Sequence, residues 1–159
     1  MSTRVGIGYD SHRFSAGRPL RLGGVTIPHT HGLAGHSDGD VALHAMVDAL
    51  LGAVAIGDIG TFFPDDDPQW KGADSTRFVK KVVETLQQDR FTVQQVDITI
   101  IAERPKLADK IGAMRAATAK ALGIDMGAVS IKAKTNEGMG WLGRGEGIAA
   151  IAVATVSSG

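Results

Sequence analysis

Apolar and polar positions alternate along the first third of the chain in short runs that predict strands. Residues 4–10 (RVGIGYD) predict a first strand that leads into a loop. Two short apolar runs, LRL and VTI, flank Gly23-Gly24, a dipeptide typical of a hairpin turn. Residues 29–36 (HTHGLAGH) show no period and predict a loop.

The first helical pattern follows directly. Ser37 and Asp40 resemble a capping box with Asp in place of Glu, and they predict a helix that runs to about Ala55. Its apolar residues recur with roughly helical spacing. Residues 57–74, rich in Gly, Pro and Asp, predict a long loop after it.

The second half of the chain predicts two more helices and three strands. A helix is expected from about Ser75 and another over residues 107–122, with Gly123 as its C-cap. The predicted strands cover residues 93–103, 128–134 and 147–156. The last strand is small and apolar throughout, which favours a central place in the sheet or a subunit contact.

This order of elements is mixed, because strands and helices neither alternate regularly nor separate into two blocks. It predicts an α+β fold with a mixed β-sheet packed on helices, rather than a doubly wound parallel sheet. No linker or shift in composition divides the chain, so residues 1–159 are expected to form a single domain.

Composition removes several classes of function. Lys+Arg and Asp+Glu both number 17, and this balance argues against a partner such as nucleic acid or an anionic membrane. The absence of Cys leaves only nitrogen and oxygen ligands for any metal. No apolar run approaches 18 residues, and the first residues contain no signal-like core, so a cytoplasmic location is expected.

Two clusters of His and Asp could hold a metal ion. Asp10 and His12 are two apart on extended chain, so their side chains point to the same side. Asp40, His44 and Asp48 recur every four residues and share one helix face. Two nitrogens and one oxygen with a fourth position open would be typical of catalytic zinc.

The residues alone do not choose between this site and others. His29 and His31 form an equally acceptable H-x-H pair. Asp10 could cap a turn, and His44 could be a half-exposed surface residue. Asp48 has two interpretations of equal weight: a partner for the second ring nitrogen of His44, or a buried Asp paired across a subunit contact.

Longer segments carry a family resemblance. GYDSHRF, LGGVTIP, GLAGHSDGDVALHAMVDALLGA, GDIGTFFPDDDPQWKGADS, TIIAERPKL and KAKTNEGMGWLGRGEGI occur in this order from residue 6 to about residue 150. Together they resemble the 2-C-methyl-D-erythritol 2,4-cyclodiphosphate synthase family of non-mevalonate isoprenoid biosynthesis. The segments HSDGDVALHA and GRGEGI are the most specific.

The resemblance implies an activity and an assembly. The substrate would be 4-diphosphocytidyl-2-C-methyl-D-erythritol 2-phosphate, whose 2-phosphate attacks the β-phosphorus while CMP leaves. The expected architecture is a ferredoxin-like sandwich that assembles as a homotrimer, with active sites between neighbouring subunits.

The resemblance also implies two metal sites. Zn²⁺ would be held by Asp10, His12 and His44, whereas His29 and His31 match no ligand of the family. A second ion, Mg²⁺ or Mn²⁺, would lie at Glu137 through the substrate diphosphate.

The substrate contacts are carried over in the same way, and His36 and Thr135 would be the catalytic hydrogen-bond donors to the pentavalent phosphorus. The implied substrate-binding residues are Asp10, His12, His36, Ser37, Asp58, Ile59, Gly60, Phe63, Pro64, Asp65, Asp66, Asp67, Ala102, Glu103, Arg104, Pro105, Lys106, Leu107, Ala108, Lys134, Thr135, Asn136, Glu137, Trp141 and Arg144.

Three of the carried-over positions, Trp141, Arg144 and Glu146, fall near the trimer axis of the family, where an isoprenoid diphosphate or another anion is expected. Three copies of Arg144 would repel one another unless they were offset, so either an Arg144–Glu146 pair or a bound anion is predicted.

Two other functions remain open at this point. A metal-dependent phosphodiesterase of a nucleotide-linked substrate would use the same ions to activate water. A non-catalytic trimeric module could bind isoprenoid diphosphates through Arg144. The products of turnover distinguish these functions from cyclisation.

Overall fold

The computed structural model describes residues 2–159 and consists of seven strands and five α-helices in that range. The strands are Thr3–Ala16 (β1), Leu20–Leu22 (β2), Val25–Ile27 (β3), His31–Leu33 (β4), Phe91–Ile101 (β5), Val129–Lys134 (β6) and Gly147–Ser158 (β7). The helices are Val41–Ala53 (α1), Ile59–Phe62 (α2), Thr76–Gln88 (α3), Ile111–Leu122 (α4) and Gly140–Gly143 (α5). Short 3₁₀ turns occupy Pro68–Trp70, Ala108–Lys110 and Met126–Ala128.

Five of the strands form one mixed sheet in the order β4-β1-β7-β5-β6. The β5–β6 pair is parallel and is connected through α4, whereas the other neighbours are antiparallel. Strands β2 and β3 form the predicted hairpin. The α+β class with a mixed sheet packed on helices is therefore confirmed.

The prediction of a ferredoxin-like connectivity is wrong. That motif has the order β-α-β-β-α-β. Here β2, β3 and β4 follow β1, helical segments then connect β4 with β5 and β5 with β6, and β7 returns to lie between β1 and β5. The sheet has the expected two-layer arrangement with a different path of the chain.

Several boundaries also differ from the sequence-based expectation. Strand β1 continues to Ala16, because its second half pairs with β4 and β7. The loop expected over residues 29–36 contains β4, a strand too short to show a period. The loop expected over residues 57–74 contains α2 and a 3₁₀ turn. Helix α4 begins at Ile111, after a 3₁₀ turn, and ends at the predicted C-cap Gly123 with φ of 70°.

The start of α1 shows why the capping-box interpretation was one turn early. Asp40 is the N-cap, and its Oδ1 accepts a hydrogen bond from Leu43 N at 3.1 Å. Ser37 lies outside the helix, and its hydroxyl lies 3.2 Å from His44 Nε2 instead of capping the helix. The helix ends at Ala53 because Ala55 has a positive φ of 59°, which breaks the helical path.

Helix α1 lies unusually close to β1, and two glycines permit this contact. A Cβ placed on Gly8 would lie 1.9 Å from the carbonyl oxygen of Ala45. A Cβ on Gly6 would lie equally close, 1.9 Å, to the carbonyl oxygen of Ala49. The side chains of α1 are almost all buried as a result.

The sheet face opposite α1 keeps an apolar band in the isolated chain. Strand β7 is central, as predicted, but its face opposite α1 is exposed at Ile151 and Val153. Its other face and the adjoining face of β1 form the open band, which consists of Val5, Ile7, Tyr9, Ile151 and Val153. Val5, Ile7 and Tyr9 are 55–71% exposed, which is unusual for large apolar side chains on a central part of a sheet.

Among the described residues, no helix is both long and apolar enough to cross a bilayer.

The tight contact between β1 and α1 gives a prediction. Gly8→Ala should lower the free energy of unfolding by about 1–3 kcal/mol or prevent folding, because the added methyl group meets rigid backbone. Gly112→Ala is the matched control: Gly112 is in α4, and a Cβ there has no neighbour within 4 Å. That change should be neutral or stabilising by up to ~1 kcal/mol. Urea unfolding measures both, and equal stability of the Gly8 variant and the parent would contradict the prediction.

Candidate functional site

Three predicted ligands from two elements converge on one point. Asp10 and His12 project from β1, and His44 projects from α1 across the close contact at Gly8. Asp10 Oδ2 lies 2.8 Å from His12 Nε2 and 3.1 Å from His44 Nδ1, and the two ring nitrogens are 3.2 Å apart. Among residues 2–159 this is the one group of three His or acidic side chains with the geometry to hold an ion.

The donor set fits a divalent metal. Two imidazole nitrogens and one carboxylate oxygen face a common centre at the edge of a cleft, which leaves a further coordination position on the open side. The second nitrogen of each ring is bound by the protein. His12 donates to the backbone carbonyl of Ala34, and His44 Nε2 lies 2.8 Å from Ser75 Oγ. Such outer contacts are usual for metal-binding His residues.

The electrostatics of the cluster favour an ionised carboxylate. Burial by itself would raise the pKa of Asp10, but hydrogen bonds and the charges of His12 and His44 outweigh it and hold that pKa well below its usual range. Burial would lower the pKa of His12, but the hydrogen bond and charge of Asp10 raise it above its ordinary value. Asp10 is thus available as an anionic ligand.

The interpretation of Asp48 as the outer partner of His44 is wrong. Its Oδ1 accepts a hydrogen bond from Ile59 N at 2.8 Å, at the start of α2. Burial raises the pKa of Asp48. The outer partner is Ser75, which the sequence pattern assigned only to the start of a helix. Ser37 Oγ also lies 3.2 Å from His44 Nε2.

A cleft of about 330 Å³ opens next to the metal cluster. It is lined by Asp10, His12, Gly35, His36, Ser37, His44, Ile59, Gly60, Phe63, Asp65, Trp70 and Phe78. Nine of the thirteen site residues predicted from the first half of the chain thus line one cleft. His36 is fixed by a 2.9 Å contact between its Nε2 and the carbonyl oxygen of Asp67.

Predicted residues beside this cleft form its turns. Asp58 caps α2, with its Oδ1 2.9 Å from Thr61 N. Asp67 caps the 3₁₀ turn, with its Oδ1 3.0 Å from Gln69 N. The carboxylates of Asp58 and Asp67 therefore have structural partners, and direct roles in substrate binding for Asp58, Pro64, Asp66 and Asp67 remain predictions.

Sequence reasoning missed two aromatic walls of the cleft. Phe78 stacks on Phe63 with ring centroids 4.4 Å apart, and Trp70 meets Phe78 edge-on at 5.2 Å. Phe78 is also 5.8 Å from the His44 ring. Phe78 lies on the buried apolar face of the helix that the sequence predicts from about Ser75, and that pattern contains no sign of a second role.

A second cleft, of about 510 Å³, is lined by eight of the thirteen site residues predicted from the second half of the chain. It is lined by Ala102, Glu103, Pro105, Lys106, Leu107, Ala108, Ile111, Ile131, Lys132, Ala133, Lys134 and Thr135. No residue lines both clefts.

The rim of the second cleft is a turn held by Glu103. Its carboxylate accepts hydrogen bonds from Asn136 N at 2.8 Å and Gly138 N at 3.1 Å. Between them, Glu137 is exposed and has a positive φ of 54°, which is uncommon for a residue other than Gly. The two hydrogen bonds to Glu103 fix this conformation of the turn.

The remaining predicted residues line neither cleft. Arg144 donates to Glu146 Oε2 through Nε and Nη2, both at 2.8 Å, so the predicted pair is present. His29 packs on Phe14 with centroids 5.4 Å apart, and neither it nor His31 joins the metal cluster. Arg104 and Arg144 line a separate cavity with His29 and His31. Trp141 borders another cleft beside His12.

Comparison with known proteins gives consistent results. The model of the YgbB family matches residues 3–157. The 2-C-methyl-D-erythritol 2,4-cyclodiphosphate synthase of Salinibacter ruber is 54% identical over 155 residues, which cover 98% of this chain and 99% of that protein.

Two solved structures are also similar. The bifunctional IspDF of Campylobacter jejuni aligns with a TM-score of 0.95 and 39% identity, over 99% of this chain and 43% of that one. The CDP complex of IspF from Plasmodium falciparum aligns with a TM-score of 0.86 and 31% identity, over 99% of this chain and 97% of that one.

The geometry of the metal cluster predicts which His residues hold a metal. His12→Ala and His44→Ala should each lower the divalent metal bound per chain and abolish turnover, because each removes a ligand. His29→Ala and His31→Ala are matched controls and should leave bound metal unchanged. Elemental analysis of the purified variants measures this, and loss of metal from either control would contradict the assignment.

Proposed function

Because the chain belongs to the YgbB family, we propose that its two clefts hold the two halves of one nucleotide-linked substrate. The activity is that of a 2-C-methyl-D-erythritol 2,4-cyclodiphosphate synthase, a phosphorus–oxygen lyase of non-mevalonate isoprenoid biosynthesis. The observation that supports the proposed mechanism most directly is the convergence of Asp10, His12 and His44 beside the first cleft.

The reaction requires two anions to meet. The 2-phosphate of the substrate attacks the β-phosphorus, the bond to the α-phosphate oxygen breaks, and CMP leaves. Two unit charges about 4 Å apart repel by ~4 kcal/mol at an effective dielectric constant of 20. Catalysis therefore consists mainly of positioning the substrate and offsetting its charge. The attacking phosphate is already anionic, so no protein base is needed to activate it.

In the first cleft, Asp10, His12 and His44 would hold Zn²⁺, and the bound ion would supply positive charge near the phosphate oxygens. Ser37 and His36 lie at the same cleft. His36 is anchored through Nε2, so its Nδ1 side is the one that would face the substrate phosphates. These residues orient the 2-phosphate for attack.

In the second cleft, the loop over residues 102–108 would receive the cytidine, largely through backbone groups. Thr135 and Lys134 at the rim would donate to the diphosphate. Glu137 projects from the turn held by Glu103 and would bind Mg²⁺ or Mn²⁺, a hard cation suited to oxygen ligands, together with the diphosphate. That charge would stabilise the departing CMP.

The separation of the clefts supports an active site shared between subunits. Each cleft contains part of the predicted residues, and they share none. The open apolar band of Val5, Ile7, Tyr9, Ile151 and Val153 gives a surface that a homotrimer would bury. Neighbouring copies would then bring the metal cluster of one chain to the nucleotide cleft of the next. Arg144, paired with Glu146, would lie near the axis, where an isoprenoid diphosphate could bind.

Mixing two inactive variants tests the shared site and the reaction together. His44→Ala damages the metal cluster, and Thr135→Ala damages the nucleotide cleft. In randomly mixed trimers, about one interface in four would combine the intact halves, so roughly a quarter of parental activity should return. Phosphorus NMR should show the cyclic diphosphate, and CMP should accumulate in equal amount.

Each variant on its own, treated in the same way, is the control and should stay inactive. If the mixture also stays inactive although it contains mixed oligomers, both halves belong to one chain. Linear phosphate products from the parent enzyme would instead identify a phosphodiesterase.

Glu137→Gln keeps the shape of the side chain and removes its charge. We expect much lower turnover and weaker dependence on added Mg²⁺ or Mn²⁺, because the neutral amide is a poorer ligand for a hard cation. Bound zinc should not change, since Glu137 is outside the Asp10–His12–His44 cluster. Titration of activity with Mg²⁺ and elemental analysis measure these effects. Loss of zinc from this variant would contradict the assignment of Glu137 to the second metal site.

A further inference from the structure

Behind His44 runs a buried polar chain whose members, Ser75 and Asp38, receive no role from the family resemblance. Ser75 is fully buried at the start of α3, yet its hydroxyl makes no hydrogen bond to the first turn of that helix. Instead, Ser75 Oγ lies 2.8 Å from His44 Nε2 and in hydrogen-bond contact with Asp38 Oδ1. A Ser at a helix start normally uses its hydroxyl as a cap, so this orientation indicates another role.

The chemistry of the three groups fixes the direction of their hydrogen bonds. A carboxylate only accepts, so the Ser75 hydroxyl donates its proton to Asp38. The oxygen of Ser75 then accepts from His44, and Nε2 of His44 must carry the ring proton. Ser37 Oγ, 3.2 Å from the same nitrogen, offers a second acceptor.

This placement of the proton leaves His44 Nδ1 with an exposed lone pair. Nδ1 faces Asp10 Oδ2 at 3.1 Å and His12 Nε2 at 3.2 Å. Because His12 donates to the Ala34 carbonyl from its other nitrogen, its Nε2 also presents a lone pair to this centre, and a cation between the three groups would satisfy all of them. The proton on the far side of His44 therefore matches the requirement of the metal cluster.

Asp38 is itself held in place by several donors. Its Oδ2 accepts from Ser75 N at 2.9 Å, its Oδ1 accepts from Asp40 N at 3.0 Å, and Arg21 Nε lies 3.8 Å from Oδ2. Ser75 and Asp38 are thus locked together by two bonds, one from the backbone and one from the side chain. A rigid carboxylate in this position prevents the Ser75 hydroxyl from turning toward His44.

We infer that Ser75 and Asp38 are positioning residues that keep His44 in the tautomer with Nδ1 available for zinc. This inference rests on the proposed zinc site and assigns to it two residues that do not touch the ion. Outer-shell partners of metal-binding His residues typically change metal affinity by about 10- to 100-fold when they are removed.

Two variants disrupt the hydrogen-bonded chain of Asp38, Ser75 and His44 in different ways. Ser75→Ala deletes the acceptor at Nε2, so both tautomers of His44 should become populated. Asp38→Asn is nearly isosteric, but its amide can donate to Ser75 Oγ, which allows the Ser75 hydroxyl to donate to His44 Nε2. That reversal should shift the ring proton to Nδ1. Ser157→Ala is the matched control, because it also removes a buried hydroxyl. The Ser157 hydroxyl accepts a hydrogen bond from Gln94 Nε2 at 2.9 Å and is remote from His44 in the chain.

The readouts are zinc affinity and the ring ¹⁵N shifts of His44. Competition of Zn²⁺ with a chromophoric chelator should give affinities about 10- to 100-fold weaker for the Ser75 and Asp38 variants and unchanged for the control. In metal-free full-length protein, the ¹⁵N spectrum should show a protonated Nε2 in the parent, a mixture in Ser75→Ala and a protonated Nδ1 in Asp38→Asn. His44→Gln identifies the His44 signals.

Parental tautomer and parental zinc affinity in both variants would overturn the inference while leaving the zinc site intact. If one variant does not fold, the other decides by the same two measurements. Failure of the zinc site itself would look different: the parent enzyme would then bind no zinc that depends on His12.

Discussion

The close contact between β1 and α1 is the constraint on which the rest of the structure depends. At Gly6 and Gly8 the strand lies against carbonyl groups of the helix, at a distance that excludes even a methyl group. Only this proximity allows His44, a residue within α1, to reach side chains on β1. The alternation of β1 then places Asp10 and His12 on the same side as the helix. A packing requirement of the core thus determines the geometry of the metal cluster.

The segment HSDGD, residues 36–40, connects that core to the site, because some of its side chains stabilise the fold and others face the cleft. Asp40 is completely buried, and its carboxylate accepts from Leu43 N and from the backbone of Gly23 and Gly24, so it fastens the β2–β3 hairpin to α1. Burial raises the pKa of Asp40, and the negative charge of Asp38 adds to this, although the backbone donors act against it. Ser37, in contrast, faces His44 in the cleft. Replacement of residues in this short segment would therefore affect folding and the site by different routes.

Sequence pattern predicted the long elements and offered several candidate metal ligands, whereas the choice of Asp10, His12 and His44 came from the family resemblance. Pattern failed where contacts between distant parts of the chain determine the local structure. Periodicity located α3 and β5 because their apolar faces are long. It missed β4, whose three residues form a strand only because β1 lies beside them. Spacing proposed His44 as a ligand, but it could not identify Ser75, 31 residues away, as the partner of its second nitrogen. Asp48, one turn from His44, was the local candidate, and the start of α2 binds it instead. Sequence spacing identifies residues that are neighbours along one helix, but it does not identify contacts with segments that are distant in the chain.

The division of the predicted residues between two clefts has a physical consequence for the proposed reaction. A single chain that held both phosphates would need its metal cluster and its diphosphate turn on facing surfaces, yet β1 and the turn over residues 135–138 lie at different clefts. Assembly through the open band of β1 and β7 would supply the missing half and would remove Val5, Ile7 and Tyr9 from water at the same time. The apolar surface that stabilises the oligomer would then belong to the same strand, β1, that carries Asp10 and His12. Formation of the oligomer and completion of the active site would thereby be coupled, and an isolated chain would leave its apolar band exposed to water and would lack a complete site for the substrate.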